Sequence, residues 1–142
     1  MTDLTSTSST RNWLPITTPQ VLKLLATGVA LWLLAAVLLR LLGPLGIYEG
    51  SARLWTYVLI IPGTVPFIYL VRWIARLGPE HTVLGVAIVT AMAIVCDGIA
   101  LAWAPEIYGE GLATAAGAGA TILWGAGVGI FLACLLNRQP VG

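Results

Sequence analysis

Charged residues are scarce in this sequence: Asp, Glu, Lys and Arg make up 9% of its 142 residues, against about 25% in soluble domains. Hydrophobic residues make up 58%, and the mean hydropathy is +0.94. Such a composition predicts an integral membrane protein. The near-neutral balance of seven basic and six acidic residues provides no basic surface, so nucleic-acid binding is not expected.

The residue types of catalysis and metal binding are also scarce. The chain has one histidine and two cysteines, and no serine or cysteine stands beside the histidine. The apolar segments hold a single carboxylate, and the sequence contains no glycine-rich phosphate loop. Nucleophilic, acid–base and metal-assisted catalysis need such groups in pairs or clusters. We therefore expect no enzymatic activity, no cofactor and no metal site.

Four long apolar segments are present, separated by short stretches rich in Gly and Pro. At about 1.5 Å per helical residue, each is long enough to cross the hydrocarbon core of a bilayer. The predicted fold is all-α, an integral membrane bundle of four transmembrane helices at residues 21–42, 54–75, 83–104 and 112–136. Residues 21–137 form this domain, residues 1–20 are predicted to be a disordered tail rich in Ser and Thr, and residues 138–142 are a short C-terminal tail.

Basic residues are distributed unequally between the two ends of the predicted helices. The end that includes the termini carries Arg11, Lys23, Arg72, Arg76 and Arg138; the opposite end carries Arg40, Arg53, Glu49, Glu106 and Glu110. Because segments rich in Lys and Arg remain in the cytoplasm, both termini are predicted to be cytoplasmic.

Asp97 is the only carboxylate within a predicted span, about 10 Å before the C-terminal end of the third helix. An ionisable group in hydrocarbon is costly, so it is expected to have a partner or a function. Arg40 lies within side-chain reach of the same depth and is the predicted partner. Asp97 is then either part of a structural clasp, through Arg40 or through a protonated carboxyl bonded to the backbone, or a gated ion or proton site.

Pro62 and Pro66 lie within the second span. Because proline has no N–H, the carbonyls of Val58 and Pro62 should lose their helical partners, and the helix should break or kink. Tyr57 and these carbonyls are predicted to lie in the same half of the membrane as Asp97. The segment is either a hinge that lines a cavity and shares a polar site with Asp97, or a kink that is filled by packing.

The fourth span has a small residue at every fourth position. This ladder consists of Gly117, Thr121, Gly125, Gly129 and Ala133. Small residues let another helix approach closely in a membrane, where packing rather than hydrophobic expulsion holds helices together. The ladder predicts either packing inside the four-helix monomer or docking of a second copy or a larger membrane protein.

The second half of the chain contains three short motifs between residues 96 and 131. They are the pair Asp97-Gly98, the spacing of Trp103, Pro105 and Tyr108, and the segment Leu123-Trp124-Gly125. This set resembles an uncharacterised bacterial family of short four-helix integral membrane proteins, described only as a domain of unknown function. The resemblance implies a four-helix fold and a location in the bacterial inner membrane, and it implies no activity.

These patterns favour one function and leave an alternative. The favoured function is a non-enzymatic interaction or accessory subunit of a membrane assembly, docked through the ladder on the fourth helix. The alternative is a small secondary transporter or channel that uses Asp97 and a second helix broken at Pro62 and Pro66.

Overall fold

The computed structural model describes residues 14–137, which form four long helices joined by short 3-10 turns. The helices are α1 (Thr18–Leu42), α2 (Gly50–Ala75), α3 (Thr82–Trp103) and α4 (Leu112–Leu136), and the turns are Gly43–Leu45, Pro79–His81 and Pro105–Tyr108. Each helix is long and apolar enough to cross a membrane. The predicted fold class, an all-α membrane bundle of four helices, is confirmed.

The helix α1 begins inside the segment that was predicted to be disordered. Residues 18–20 form its first turn because Gln20 caps it: its Oε1 accepts hydrogen bonds from the backbone N–H of Thr17, at 2.9 Å, and from the Thr17 hydroxyl, at 3.0 Å. Pro19 fits this first turn, where an N–H has no helical partner. The prediction of a tail is therefore wrong for residues 18–20. Residues 1–13 and the predicted C-terminal tail lie outside the described residues.

The helices α1 and α3 run in one direction, and α2 and α4 run in the other. The most extensive contacts join α1 to α3, α3 to α4 and α4 to α2. Two helices approach each other closely at Gly28 of α1, where a Cβ atom would lie 2.7 Å from the carbonyl oxygen of Val89 and 2.8 Å from Cβ of Met92. Only glycine allows these two backbones to lie so close together.

The helix α2 is continuous from Gly50 to Ala75, with Pro62 and Pro66 inside it. The predicted break is therefore wrong. Both prolines lie on an exposed face of the bundle, so their rings displace no neighbouring helix. The Thr64 hydroxyl also donates to the carbonyl of Ile60, at 2.7 Å, which adds a side-chain hydrogen bond to the helix close to the prolines.

The ladder on α4 packs inside the monomer. A Cβ atom at Gly125 would lie 3.8 Å from Ile60 of α2, and one at Gly129 would lie 3.5 Å from Thr64. At Gly117 the neighbour is the ring of Tyr48, from the connection before α2, at 2.7 Å. The other two members, Thr121 and Ala133, are buried. Of the two interpretations of the ladder, the structure shows packing within the chain.

Candidate functional site

Asp97 is 5% exposed, and the structure gives it a partner other than the predicted one. The hydroxyl of Tyr108 donates a hydrogen bond to Oδ1 of Asp97. Arg40 forms no ion pair with Asp97; the only ion pair within residues 14–137 joins His81 to Glu80. The prediction of an Asp97–Arg40 pair is therefore wrong.

Tyr108 reaches Asp97 because the chain folds back over the bundle after α3. Pro105 ends the helical path, and the turn Pro105–Tyr108 places the Tyr108 side chain between α1 and α3, where it is fully buried. The indole N–H of Trp32, on α1, donates to the Tyr108 hydroxyl oxygen at 3.1 Å. Trp32, Tyr108 and Asp97 thus form a chain of two hydrogen bonds, which we call the clasp.

Arg40 supports the same turn from outside the clasp. Its guanidinium donates to the backbone carbonyls of Glu106 and Ile107. Arg40 is in the exposed last turn of α1, so it binds these carbonyls at the surface, where its charge remains hydrated. Burying that charge beside Asp97 would carry a desolvation cost.

Electrostatics keep the Tyr108 hydroxyl a hydrogen-bond donor. Burial, and next the hydrogen bond to Asp97, raise the pKa of Tyr108 above its ordinary value of 10.0. The hydroxyl therefore keeps its proton at neutral pH and donates a hydrogen bond to the carboxyl group of Asp97. The direction of the clasp is fixed: Trp32 donates to Tyr108, and Tyr108 donates to Asp97.

A cavity of about 370 Å³ lies beside the clasp, at the centre of the bundle. Its walls come from all four helices, and most of the lining side chains are apolar. The polar groups on its wall belong to Trp32, Thr56, Thr90, Asp97 and Thr121. Asp97 is the only acidic or basic residue among them, so it is the natural anchor for a ligand.

One oxygen of Asp97 is available to the cavity. Tyr108 occupies Oδ1, and Oδ2 accepts no hydrogen bond from the described residues. No fully buried side-chain nitrogen or oxygen in residues 14–137 lacks a hydrogen-bond partner, so Oδ2 is not fully buried. Since Asp97 lines the cavity, this oxygen can accept a hydrogen bond from a molecule bound there.

The other predicted site residues lie elsewhere. Tyr57 stacks on Trp124 of α4, with ring centroids 5.2 Å apart and planes at 27°, and its carbonyl accepts a hydrogen bond from the Trp124 indole at 3.0 Å. It lines a different cavity, of about 390 Å³, near Arg53. Neither Pro62 nor Pro66 lines the central cavity. The predicted site of Asp97, Arg40, Tyr57 and the two prolines is therefore not assembled as a single cluster.

Sequence reasoning did not identify Tyr108 and Trp32 as partners of Asp97. The available signal was a tyrosine 11 residues after the carboxylate, inside a turn bounded by Pro105 and Gly109. Nothing in the sequence indicated a hydrogen-bonding role for Trp32, since a tryptophan in an apolar span is normally interpreted as a packing residue. Within residues 14–137, no three His, Cys, Asp or Glu side chains come together as a metal site would require.

The chain matches no family model, no curated protein and no solved structure at a significant level. The resemblance of residues 96–131 to an uncharacterised bacterial membrane family stays a prediction.

Proposed function

We propose that this membrane protein binds a small, mainly apolar molecule that carries one cationic or hydrogen-bond-donating group. The observation that carries the proposal is the single carboxylate on the wall of the central cavity. Ligand sites are typically concave and apolar, with a few polar groups that orient the ligand, and have volumes of about 300–1,000 Å³. The cavity beside Asp97, at about 370 Å³, has these properties.

The clasp supports this proposal because it holds the carboxylate in place. An aspartate at the centre of a bundle could rotate between several contacts, but Tyr108 fixes Oδ1 and Trp32 fixes Tyr108. The Asp97 carboxyl group is then held in place at the wall of the cavity. Preorganised groups of this kind bind ligands with a smaller entropy cost.

Docking of a partner helix through the ladder on α4 has less support. The ladder contacts α2 and Tyr48 within the same chain, so much of its surface is already covered in the described monomer. An accessory role would have to use another surface, and the ligand-binding proposal needs no partner.

The experiment that tests the proposal is binding of an organic cation to the purified protein. The probe is tetraphenylphosphonium, and neutral triphenylphosphine is its control. Asp97→Asn retains an oxygen that can accept from Tyr108 and removes the charge, so it should weaken binding of the cation by about tenfold or more. Binding of the neutral control should change little.

A second pair of variants tests the cavity itself. Ala93 lines it, and Ala93→Phe should fill the space and abolish binding of the cation. Ala91 lies on the exposed face of the same helix, so Ala91→Phe should bind as the wild type does. Equal binding of the cation by the wild type and all these variants would exclude the cavity as the binding site. Uptake into proteoliposomes of a hydrophilic organic cation that does not cross lipid unaided, lost in Asp97→Asn, would extend the proposal from binding to transport.

We also propose the bacterial inner membrane as the location, with both termini in the cytoplasm. Among the described residues, Lys23, Arg72 and Arg76 lie at one end of the bundle, and three glutamates lie with Arg40 and Arg53 at the other; this bias follows the positive-inside rule. The test is labelling by an impermeant thiol reagent, after both native cysteines are replaced. Ser51→Cys and Glu110→Cys should react from outside the cell. Reaction of Glu80→Cys alone would indicate the opposite orientation.

A further inference from the structure

Two cationic side chains from different helices line one cavity at the end of the bundle where α1 begins. The cavity has a volume of about 310 Å³ and is lined by Lys23, Trp73, Ile74 and Arg76. No carboxylate is among these lining residues. Two like charges that share one cavity repel each other, and an anion placed between them would remove that repulsion.

The surrounding charges make this end of the bundle basic. Arg72 lies one turn before Arg76 on α2. The acidic side chain of Glu80 lies nearby in the chain, and it is already engaged with His81 at 3.1 Å. Within residues 14–137, the cations of this end therefore outnumber the available carboxylates.

The walls of the cavity are held together by Gln20. Its side-chain N–H donates to the carbonyl of Ala75 at 3.1 Å and reaches that of Arg76 at 3.5 Å. This contact joins the start of α1 to the end of α2, so Lys23 and Arg76 stay on opposite sides of the same space. The fold thus fixes the backbone positions from which the exposed side chains of Lys23 and Arg76 line the cavity.

Trp73 shows the depth of the cavity in the bilayer. It is 77% exposed and lies in the last turn of α2. Tryptophan favours the interface between hydrocarbon and headgroups. The two cations beside it are therefore at the level of the lipid phosphates.

We propose that this cavity is a binding site for a phosphate group, held between Lys23 and Arg76. Arginine suits phosphate because its guanidinium can donate two parallel hydrogen bonds, and lysine adds a mobile positive charge. The phosphate is supplied either by the headgroup of an anionic lipid or by free phosphate. The site does not depend on the ligand proposed for the central cavity, which is lined by different residues.

The experiment measures lipids that remain on the full-length protein after extraction from vesicles, by native mass spectrometry. The vesicles contain equal amounts of phosphatidylglycerol and phosphatidylcholine. The wild type should retain phosphatidylglycerol in preference to phosphatidylcholine. Lys23→Gln and Arg76→Gln should each weaken that preference by about fivefold, and the double variant by about thirtyfold.

Matched variants distinguish binding at this site from a general attraction of anionic lipid to a basic protein surface. Lys23→Arg and Arg76→Lys keep the charge and should retain the lipid. Arg53→Gln removes one charge from the opposite end of the bundle and should leave the preference unchanged. A melting temperature close to that of the wild type in neutral detergent checks that each variant is folded.

The source of the phosphate is decided with inorganic phosphate alone. Competition by millimolar phosphate for the retained lipid assigns the site to free phosphate as well as to lipid, whereas lack of competition assigns it to the lipid headgroup. Equal retention of the two lipids by the wild type would overturn the proposal. The same loss in Arg53→Gln as in Arg76→Gln would also overturn it.

Discussion

The α1–α3 interface and the α2–α4 interface hold the bundle together in different ways. Between α1 and α3, one glycine brings two backbones into contact, and the clasp of Trp32, Tyr108 and Asp97 lies at the same interface. Between α2 and α4, a row of small residues meets aliphatic side chains, and Tyr57 stacks on Trp124. A repeated small-residue pattern thus marks a helix face that packs, while the backbone contact between α1 and α3 depends on a single glycine outside that pattern.

The largest effect is expected at Gly28. Gly28→Leu would place side-chain atoms where the Val89 carbonyl and Met92 now lie, so α1 and α3 must separate and the clasp must open. The cost is about 3 kcal/mol or more. Thermal unfolding in mild detergent should show a strongly lowered melting temperature or no folded protein. Gly127→Leu is the control, because nothing lies within 4 Å of a Cβ atom there; equal losses in the two variants would contradict the comparison.

The next effect is expected when the clasp loses a donor. Tyr108→Phe leaves Oδ1 of Asp97 buried without its hydrogen bond, which should cost about 2 kcal/mol. Adding Asp97→Leu removes the unsatisfied acceptor and should recover much of this loss, since an apolar pair has no polar group to satisfy. Arg40→Gln and Asp97→Leu should be additive in the Tyr108→Phe background, where the turn that Arg40 holds no longer donates to Asp97. Strong coupling between Arg40 and Asp97 in this double-mutant cycle, measured by thermal unfolding, would instead indicate a direct ion pair between them.

A smaller effect is expected at the ladder. A Cβ atom at Gly129 fits against Thr64 at 3.5 Å, so Gly129→Ala should be tolerated, whereas Gly129→Leu should displace α2 at a cost of about 1 kcal/mol. The particle mass in detergent should stay the same, because the ladder packs inside the monomer. A change in mass with no loss of stability would show that the ladder serves a second chain.

The smallest effect is a pH dependence to which the clasp should contribute. The pKa of Tyr108 is raised in the folded protein, so its stabilising contribution is present below about pH 10 and is lost as the pH rises further, when the unfolded chain releases this proton first. The difference in melting temperature between the wild type and Tyr108→Phe should therefore be constant from about pH 8 to about pH 10 and should narrow above about pH 10. A difference that stays constant above about pH 10 would show that Tyr108 does not titrate as the clasp requires.

The fold could be predicted because it depends on local properties of the chain. Apolar length defines the four helices, and Gly and Pro mark the turns between them. The first turn of α1 was missed because a cap formed by Gln20 looks like ordinary polar sequence. The break at Pro62 and Pro66 was predicted from the loss of hydrogen bonds, but the helical conformation continues through both residues.

The site was harder to predict because it depends on which side chain lies at the same depth in the bundle as Asp97. Asp97 was identified from its charge alone. Its partner was assigned to Arg40 because opposite charges attract, although a neutral hydroxyl can enter the interior at a lower desolvation cost than a guanidinium. The identity of that hydroxyl depends on how the turn Pro105–Tyr108 folds back, and the cavity depends on the arrangement of all four helices.

The short distance along the chain between Asp97 and Tyr108 also bears on how the protein is made. They are 11 residues apart, and Trp32 precedes Tyr108 by 76 residues. At a synthesis rate of about 5–20 residues per second, Tyr108 follows Asp97 out of the ribosome within about two seconds. Both hydrogen bonds of the clasp can therefore form while the fourth helix, which follows Tyr108 in the chain, is still inside the ribosome. The nascent chain can cover its most costly side chain before its last membrane segment has been inserted.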